Sequence, residues 1–251
     1  AQEALTAKQA DVIDYFGPAI ALAITKGVKQ KIVATNMPGH TGWQVIVKAD
    51  SPYKDIKDLA GKKIGITAKA TTSDMAALWV ADKFGITLQQ VPVGPAALAP
   101  ALRSGQIDSV VFSAIVTNRE VMAGHARSLL SLTDKMEPTI ADAYVAAQEL
   151  MDQRPADLRA FLAQTLRGLQ YMKANREWSL AFLKEFTKVD NDKLVTLLFD
   201  EIIPRIPVDG KIEKTWVETG LKLAARAWDV PDLAKVDAGT VFTNEFLPGG
   251  K

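Results

Sequence analysis

The sequence predicts an α/β protein built as two lobes, each a mainly parallel sheet flanked by helices, with further helices at the C-terminal end. Three observations carry this. Short apolar runs alternate with helical patterns up to about residue 145. Beyond it the periodicity is helical throughout. One segment also echoes another 97 positions later: Ala4, Leu5, Gln9 and Asp11 coincide with Ala101, Leu102, Gln106 and Asp108, and Tyr15 meets Phe112. Each copy reads as the end of a helix, a tight turn and a short apolar strand that opens into a small-residue loop. Helix, turn and strand in that order also recur in unrelated α/β proteins; two lobes on one plan is the physical reading adopted.

The elements follow in order. Residues 12–16 and 110–112 are the echoed strands, and 31–35 and 43–47 are two more, bracketing the turn-rich stretch from Asn36 to Gly42. Asp50, Ser51 and Pro52 break the chain before a short helix carrying Ile56 and Leu59, which Gly61 ends. Residues 64–67 form a short buried strand. Thr71, Thr72, Ser73 and Asp74 then open a helix with Met75, Leu78, Trp79 and Phe84 on its apolar side, stopped by Gly85. Later, Leu158, Phe161, Leu162, Leu166, Leu169 and Met172 form one helix face behind Pro155. Leu194, Leu197, Leu198 and Ile202 form another, ended by Pro204 and Pro207. A last helix presents Trp216, Gly220, Leu223, Ala227 and Trp228, whose aromatics read as core.

Composition removes several function classes. The chain has 251 residues, 48% of them hydrophobic, and 30 Lys+Arg against 29 Asp+Glu, with no polybasic run, so no nucleic-acid footprint is expected. The longest uncharged stretch, 84–102, contains Pro92, Gly94, Pro95 and Pro100 and is no membrane span. Residues 1–5 have neither the basic nor the apolar region of a signal peptide, which fits a cytosolic chain or one whose signal has been removed. Zero cysteines exclude disulfides, cysteine-bound metal and thiol catalysis, and two histidines leave little for metal or imidazole chemistry. No nucleophile-elbow, phosphate-loop, dinucleotide or zinc-protease motif is present. No enzyme activity, cofactor or metal is therefore expected.

The chemical signal is the run from Lys69 to Ser73, directly after the strand 64–67 and at the start of a helix. A helix N-terminus offers unpaired N–H groups and about half a positive charge, and three hydroxyls add donors, which together make an anion cradle. Simple N-capping by Thr71, Thr72 or Ser73 gives the same sequence; the position outside the carboxyl end of a parallel strand favours binding. Tyr15, Phe16 and Gly17 follow one echoed strand and Ser113 the other, while His40, Thr41 and Trp43 lie at the start of a strand. Together they suit a cleft between lobes. Taken singly, His40 reads first as a surface polar residue and second as a ligand contact or base, and His125 as a capping or solvated residue at a helix end.

These residues carry a resemblance. The segments are Gly17-Pro18 after residues 9–12, Gly42-Trp43 leading into Val45, Ile46 and Val47, residues 56–66 with Asp58, Leu59, Gly61, Lys62 and Lys63, Thr71 to Asp74, and Ser104 to Asp108. With them the chain resembles the substrate-binding proteins of ABC importers in the nitrate/sulfonate/taurine group, which includes binders of thiamine-pyrimidine precursors. The likeness covers most of residues 4–145. It implies a two-lobed periplasmic binding protein type II fold joined by two crossing strands, with lobe one holding 1–48 and 145–251 and lobe two 49–144. It places Gly17, Thr41, Trp43, Thr71, Thr72, Ser73 and Ser113 near the ligand; His40, Tyr15 and Phe16 come from loop placement alone. The implied protein is a monomer, periplasmic or extracellular and lipid-tethered, that passes a small anion to a membrane permease. A pyrimidine-precursor synthase on the same fold depends on cysteines this chain lacks, and the effector domain of a transcription regulator shares the plan without the long helical tail. Family members begin with a further strand, helix and strand before the position of Ala4, so the chain is expected to be a fragment lacking that part of lobe one. Ala70 stands where a glycine is usual.

Overall fold

The computed structural model describes residues 1–250. In chain order the strands are β1 (Val12–Tyr15), β2 (Gln30–Pro38), β3 (Trp43–Lys48), β4 (Lys63–Ile66), β5 (Gln89–Pro92), β6 (Ser109–Ser113), β7 (Ala126–Ser131) and β8 (Ile140–Ala147). The helices are α1 (Gln2–Thr6), α2 (Gly17–Thr25), α3 (Thr72–Phe84), α4 (Leu98–Ser104), α5 (Ala114–Met122), α6 (Gln148–Gln153), α7 (Pro155–Ala174), α8 (Arg176–Thr187), α9 (Asp192–Ile202), α10 (Lys214–Ala227) and α11 (Ala238–Val241). Among the described residues no helix is long and apolar enough to cross a membrane.

The chain divides into two compact units. The first comprises Ala1–Gly39, Glu137–Ala181 and the chain from Ile203 onward; the second comprises His40–Met136 and Phe182–Ile202. These divisions differ from the boundaries at 48 and 144 read from the sequence. β3 hydrogen-bonds to β6 and β7, which draws 43–48 into the second unit, while β8 lies between β1 and β2 in the first. In the helical tail, 182–202 also joins the second unit: Thr133 donates to Glu201 at 3.2 Å, and α5 packs on α9.

The second unit has a five-stranded mixed sheet, order β5-β4-β6-β3-β7, with β4 parallel to β5 and β6 and β3 antiparallel to β6 and β7. The sheet of the first unit, β1-β8-β2, is antiparallel at both pairings, against the expectation of parallel neighbours. The reason is local. β1 and β2 run the same way, as a strand–helix–strand crossover requires, but β8 inserts between them and runs against both. β3 inserts between β6 and β7 in the same manner.

The echo is carried into backbone geometry. At the end of α1 the N–H groups of Lys8, Gln9 and Ala10 donate to Leu5, Ala4 and Ala4 carbonyls at 3.1, 2.8 and 3.2 Å. At the end of α4, those of Gly105, Gln106 and Ile107 donate to Leu102, Ala101 and Ala101 at 3.1, 3.0 and 3.4 Å. Each partner lies 97 positions on. The match continues through α2 and α5, both nine residues long. It ends on equivalent turns, Val28 donating to Ala23 at 3.1 Å and His125 to Glu120 at 3.0 Å.

Each unit has its own core. Val33, Ala34, Ala146, Leu150, Leu158, Leu162 and Leu166 cluster with Phe246 and Leu247 in the first, where α7 lies on the sheet. Ile46, Leu98, Ala101, Leu102, Ile107, Val110 and Ala126 cluster in the second. α10 departs from its expected face: Val217, Gly220, Leu221, Ala224 and Ala225 are buried, whereas Trp216 and Trp228 are half-buried at the rim. The close approach of Gly220 to Pro18 sets that rotation; a Cβ there would lie 3.1 Å from the proline ring.

Candidate functional site

In the second unit, β4 and β6 are parallel and end at Ile66 and Ser113, while β3 runs the other way and starts at Trp43, directly opposite Ser113. This register collects the 67–74 loop, Ser113 and the 40–43 turn on one end of the five-stranded sheet. Seven of the ten expected site residues are there: His40, Thr41, Trp43, Thr71, Thr72, Ser73 and Ser113.

The loop that opens α3 is a closed hydroxyl network. Thr67 Oγ1 lies 3.1 Å from Thr71 Oγ1 and 2.9 Å from Ser73 Oγ, and the latter two are 3.0 Å apart. Ser73 Oγ accepts the Thr67 N–H at 2.9 Å, and Thr71 Oγ1 donates to the Ala68 carbonyl at 2.8 Å. Thr71 occupies the N-cap position, yet no side chain caps the helix. The first-turn N–H groups are thus not consumed by the capping that the sequence left as an alternative. Ser73 is fully buried and braces the loop; Thr72 is half-buried. Asp74, also buried, accepts the Ala70 N–H at 2.9 Å and pairs with Lys69 at 3.3 Å, and Lys69 also donates to Gln90. Lys69 is therefore tied back to the loop. Ala70 has φ of +56°, the left-handed conformation that suits the glycine usual there.

Ser113 likewise heads α5 with no side-chain cap bond. Trp43 is buried edge-to-face between His40, 5.5 Å away, and Phe112, 5.4 Å away. The Gly42 N–H donates to Thr133 Oγ1 at 2.9 Å, which pins the turn. His40 is not the surface residue expected: it is 3% exposed, and neither ring nitrogen has a partner among the described residues. Burial pushes its pKa down to about 4, so the ring is neutral. His125 is half-exposed and sits 3.3 Å from Glu120 at the end of α5, as a helix-end histidine should.

In the first unit, Tyr15 ends β1, Phe16 is the N-cap of α2 and Gly17 is its first residue. Phe16 is buried edge-on against Trp228, with ring centres 6.2 Å apart, so its side chain is core. Gly17 has a packing reason to be glycine: a Cβ would fall 2.7 Å from Ile140 Cβ and 2.9 Å from the Ile140 carbonyl. Beside them lie residues the sequence reading missed. Asp14 faces Tyr144 across β1 and β8, and Asp142 is two residues before Tyr144 on the same face. Asn36 Nδ2 donates to Asp14 Oδ2 at 2.7 Å. Burial, and then the Asp14 charge, push Asp142 up to about 7. Burial also raises Asp14, against the Asn36 bond. A carboxylate inside each of two apolar strands was the signal available for them. Among the described residues, no group of three or more His, Cys, Asp or Glu could hold a metal ion.

The profile of the NMT1/THI5-like family matches residues 1–178. A Brucella abortus protein, named as a candidate binding protein, is 30% identical over 209 residues, covering 79% of this chain; the chain spans 64% of that relative's length. A Bordetella bronchiseptica structure superposes with a TM-score of 0.81 at 24% identity, over 98% of this chain and 81% of that one. The periplasmic aliphatic sulphonate binding protein SsuA of Escherichia coli superposes with a TM-score of 0.78 at 19% identity, over 96% and 78%. These likenesses show the periplasmic binding protein fold. With the profile covering well over half of its residues, the chain belongs to the NMT1/THI5-like family.

Proposed function

We propose that the chain is the solute-binding component of an ABC importer, which captures a small anion of the sulfonate type outside the cytoplasm and hands it to a membrane permease. The observation that carries this reading is the start of α3. Its backbone N–H groups follow a parallel strand, no side chain caps them, and a hydroxyl network holds the loop in place. In this reading the first turn of α3 and the Thr72 hydroxyl receive the oxyanion, and Thr71 and Ser73 keep the loop rigid. Ser113 at the head of α5 supplies a second N-terminus. Trp43 packs on the apolar remainder and Thr41 lines the turn. The protein works as a monomer and catalyses nothing. The sulphonate-binding name of the E. coli structural relative supports the ligand class.

The test is thermal unfolding with sulfonates, nitrate, bicarbonate, carboxylates and an aminopyrimidine. The last is included because Asp14 and Asp142 offer carboxylates to N–H donors. A sulfonate at 100 times its Kd is expected to stabilise the protein by about 2.7 kcal/mol. Thr72→Val, which keeps the side-chain shape, is expected to weaken binding about tenfold. Absence of any shift across the anions would overturn the reading, and a response to the aminopyrimidine alone would replace it.

A further inference from the structure

We infer that the first unit carries a further binding site, a groove at the far end of its sheet that takes organic anions with two or more negative charges on an apolar body. The site stands or falls independently of anion capture at α3.

Tyr15 and Gly17 lie where β1 ends. At the opposite end of the sheet, where β1 and β2 start and β8 finishes, a groove of about 730 Å³ opens. That volume falls within the roughly 300–1,000 Å³ of small-molecule sites. Its walls are the end of α1, the turn between α2 and β2, and α6, with Leu5, Val28 and Ala147 as apolar surface. The charged groups are Lys8, Lys26, Lys29, Glu149 and Asp152. Lys8 is matched by Glu149 at 2.6 Å. The ammonium groups of Lys26 and Lys29 have no partner among the described residues. The groove thus keeps two uncommitted cations against one carboxylate, Asp152, which already accepts from Gln148 Nε2 at 2.8 Å.

The internal echo shows that the fold does not call for these lysines. Lys8, Lys26 and Lys29 stand where the second unit, 97 positions on, has Gly105, Ala123 and Ala126. The turns are otherwise alike: Gly27 donates to Ile24 at 2.9 Å and Gly124 to Val121 at 3.0 Å, with φ of 89° and 73°. Small uncharged residues therefore build the same turns. In the first unit, two separate turns bring three cations to one groove, and Lys8 sits at φ 56°, a conformation that disfavours any side chain.

An ammonium is a compact charge whose three donors rotate, so it selects by charge rather than by head-group shape. Carboxylate, phosphate and sulfonate groups all qualify. A ligand with one charge answers one lysine and leaves the other; a dianion answers both. Volume selects further. At about 30 Å³ per water the groove holds on the order of two dozen waters, and an inorganic ion would displace only a few. An organic body along Leu5, Val28 and Ala147 displaces more and buries apolar surface.

The experiment follows backbone amides by NMR at low ionic strength during titration with benzene-1,3-dicarboxylate, with benzoate, and with sodium chloride at matched ionic strength. The amides of Gly27, Val28, Lys29, Gln148 and Glu149 are expected to shift saturably with the dicarboxylate, at an affinity about fivefold above that for benzoate. The double variant Lys26→Gln, Lys29→Gln alters only exposed, uncommitted side chains and should bring the two aromatic acids to within about twofold of each other. The inference is overturned by shifts at these amides no larger than sodium chloride produces, by equal affinity for benzoate, or by a preference that the double variant retains. Shifts confined to the first turn of α3 would also overturn it, and would leave anion capture there standing.

Discussion

Burial favours the neutral form of both Asp142 and His40, but they pull stability in opposite directions over the same range of pH. The Asp142 pKa is raised to about 7, so the folded state holds its proton where the unfolded chain has released it. Its contribution is fully present below the ordinary carboxylate value and is lost as pH rises through about 7. The His40 pKa is lowered to about 4, so the unfolded chain takes up a proton first. Its contribution is present above about 6.5 and is lost as pH falls toward 4. Single substitutions separate the two. Asp142→Asn is expected to match the wild type near pH 4 and to exceed it by about 2 kcal/mol at pH 8, a figure reduced for partial solvent screening. His40→Phe should gain on the wild type as pH falls from 7 to 4, by on the order of 3 kcal/mol. Urea unfolding at several pH values checks both, and parallel profiles for variant and wild type would contradict the assignment. Neither environment could be read from the chain. The segment 140–143 was not read as a strand at all, and a turn of Pro38, Gly39, His40 signals exposure. Whether other segments close over a strand's charge or a turn's imidazole depends on contacts distant in sequence.

The helix–turn–strand echo shows what local pattern does specify. Both turns need one residue in the left-handed conformation, and the copies fill it differently, with Lys8 at φ 56° and Gly105 at φ 77°. A Cβ at Gly105 would meet nothing within 4 Å, so replacing it tests conformation without packing. Gly105→Ala is expected to cost about 1 kcal/mol, the left-handed penalty for a residue with a Cβ, read as a fall in melting temperature of roughly 2–4 °C. An unchanged melting temperature would mean that this turn rearranges instead. β1 to β4, β6, the start of α3 and the Leu158, Leu162 and Leu166 stripe of α7 were legible because apolar spacing, Gly stops and hydroxyl caps all lie within a few residues of one another; β5, β7 and β8 were not read, and Phe161, expected on the α7 face, is 42% exposed. The faces of α9 and α10 were not legible either. In α9 the buried residues are Leu194, Val195, Leu198 and Phe199 while Leu197 is 43% exposed, and in α10 the small residues Gly220, Ala224 and Ala225 face inward. Ranking positions by apolar bulk favours Leu197 and the tryptophans. Close packing of a helix on its neighbours favours small residues where backbones approach, and bulky ones move to the rim.

For the molecule as a whole, the sequence revealed two units but not which parts of the tail belong to each. Strand membership follows hydrogen-bond partners far along the chain: Trp43 pairs with Ser113, and Ile13 with Val145. No window of sequence contains both members of such a pair. The same holds for α9, which lies in the helical tail yet belongs to the second unit, where its buried face packs with α5 and Thr133 reaches Glu201. That placement has a measurable consequence. Leu194 is 2% exposed, so Leu194→Ala should cost about 2–4 kcal/mol through lost burial and the cavity it leaves. The loss should be confined to the unit that α9 completes. Native-state hydrogen exchange is expected to quicken for the amides of β3, β6, β7 and α5, while those of β1, β2 and β8 keep their wild-type protection. Leu162→Ala in α7, whose side chain is fully buried in the core of the first unit, should show the reverse pattern. Faster exchange in both sheets from either substitution would mean that the two cores open as one cooperative body, and that this division into units has no counterpart in their stability.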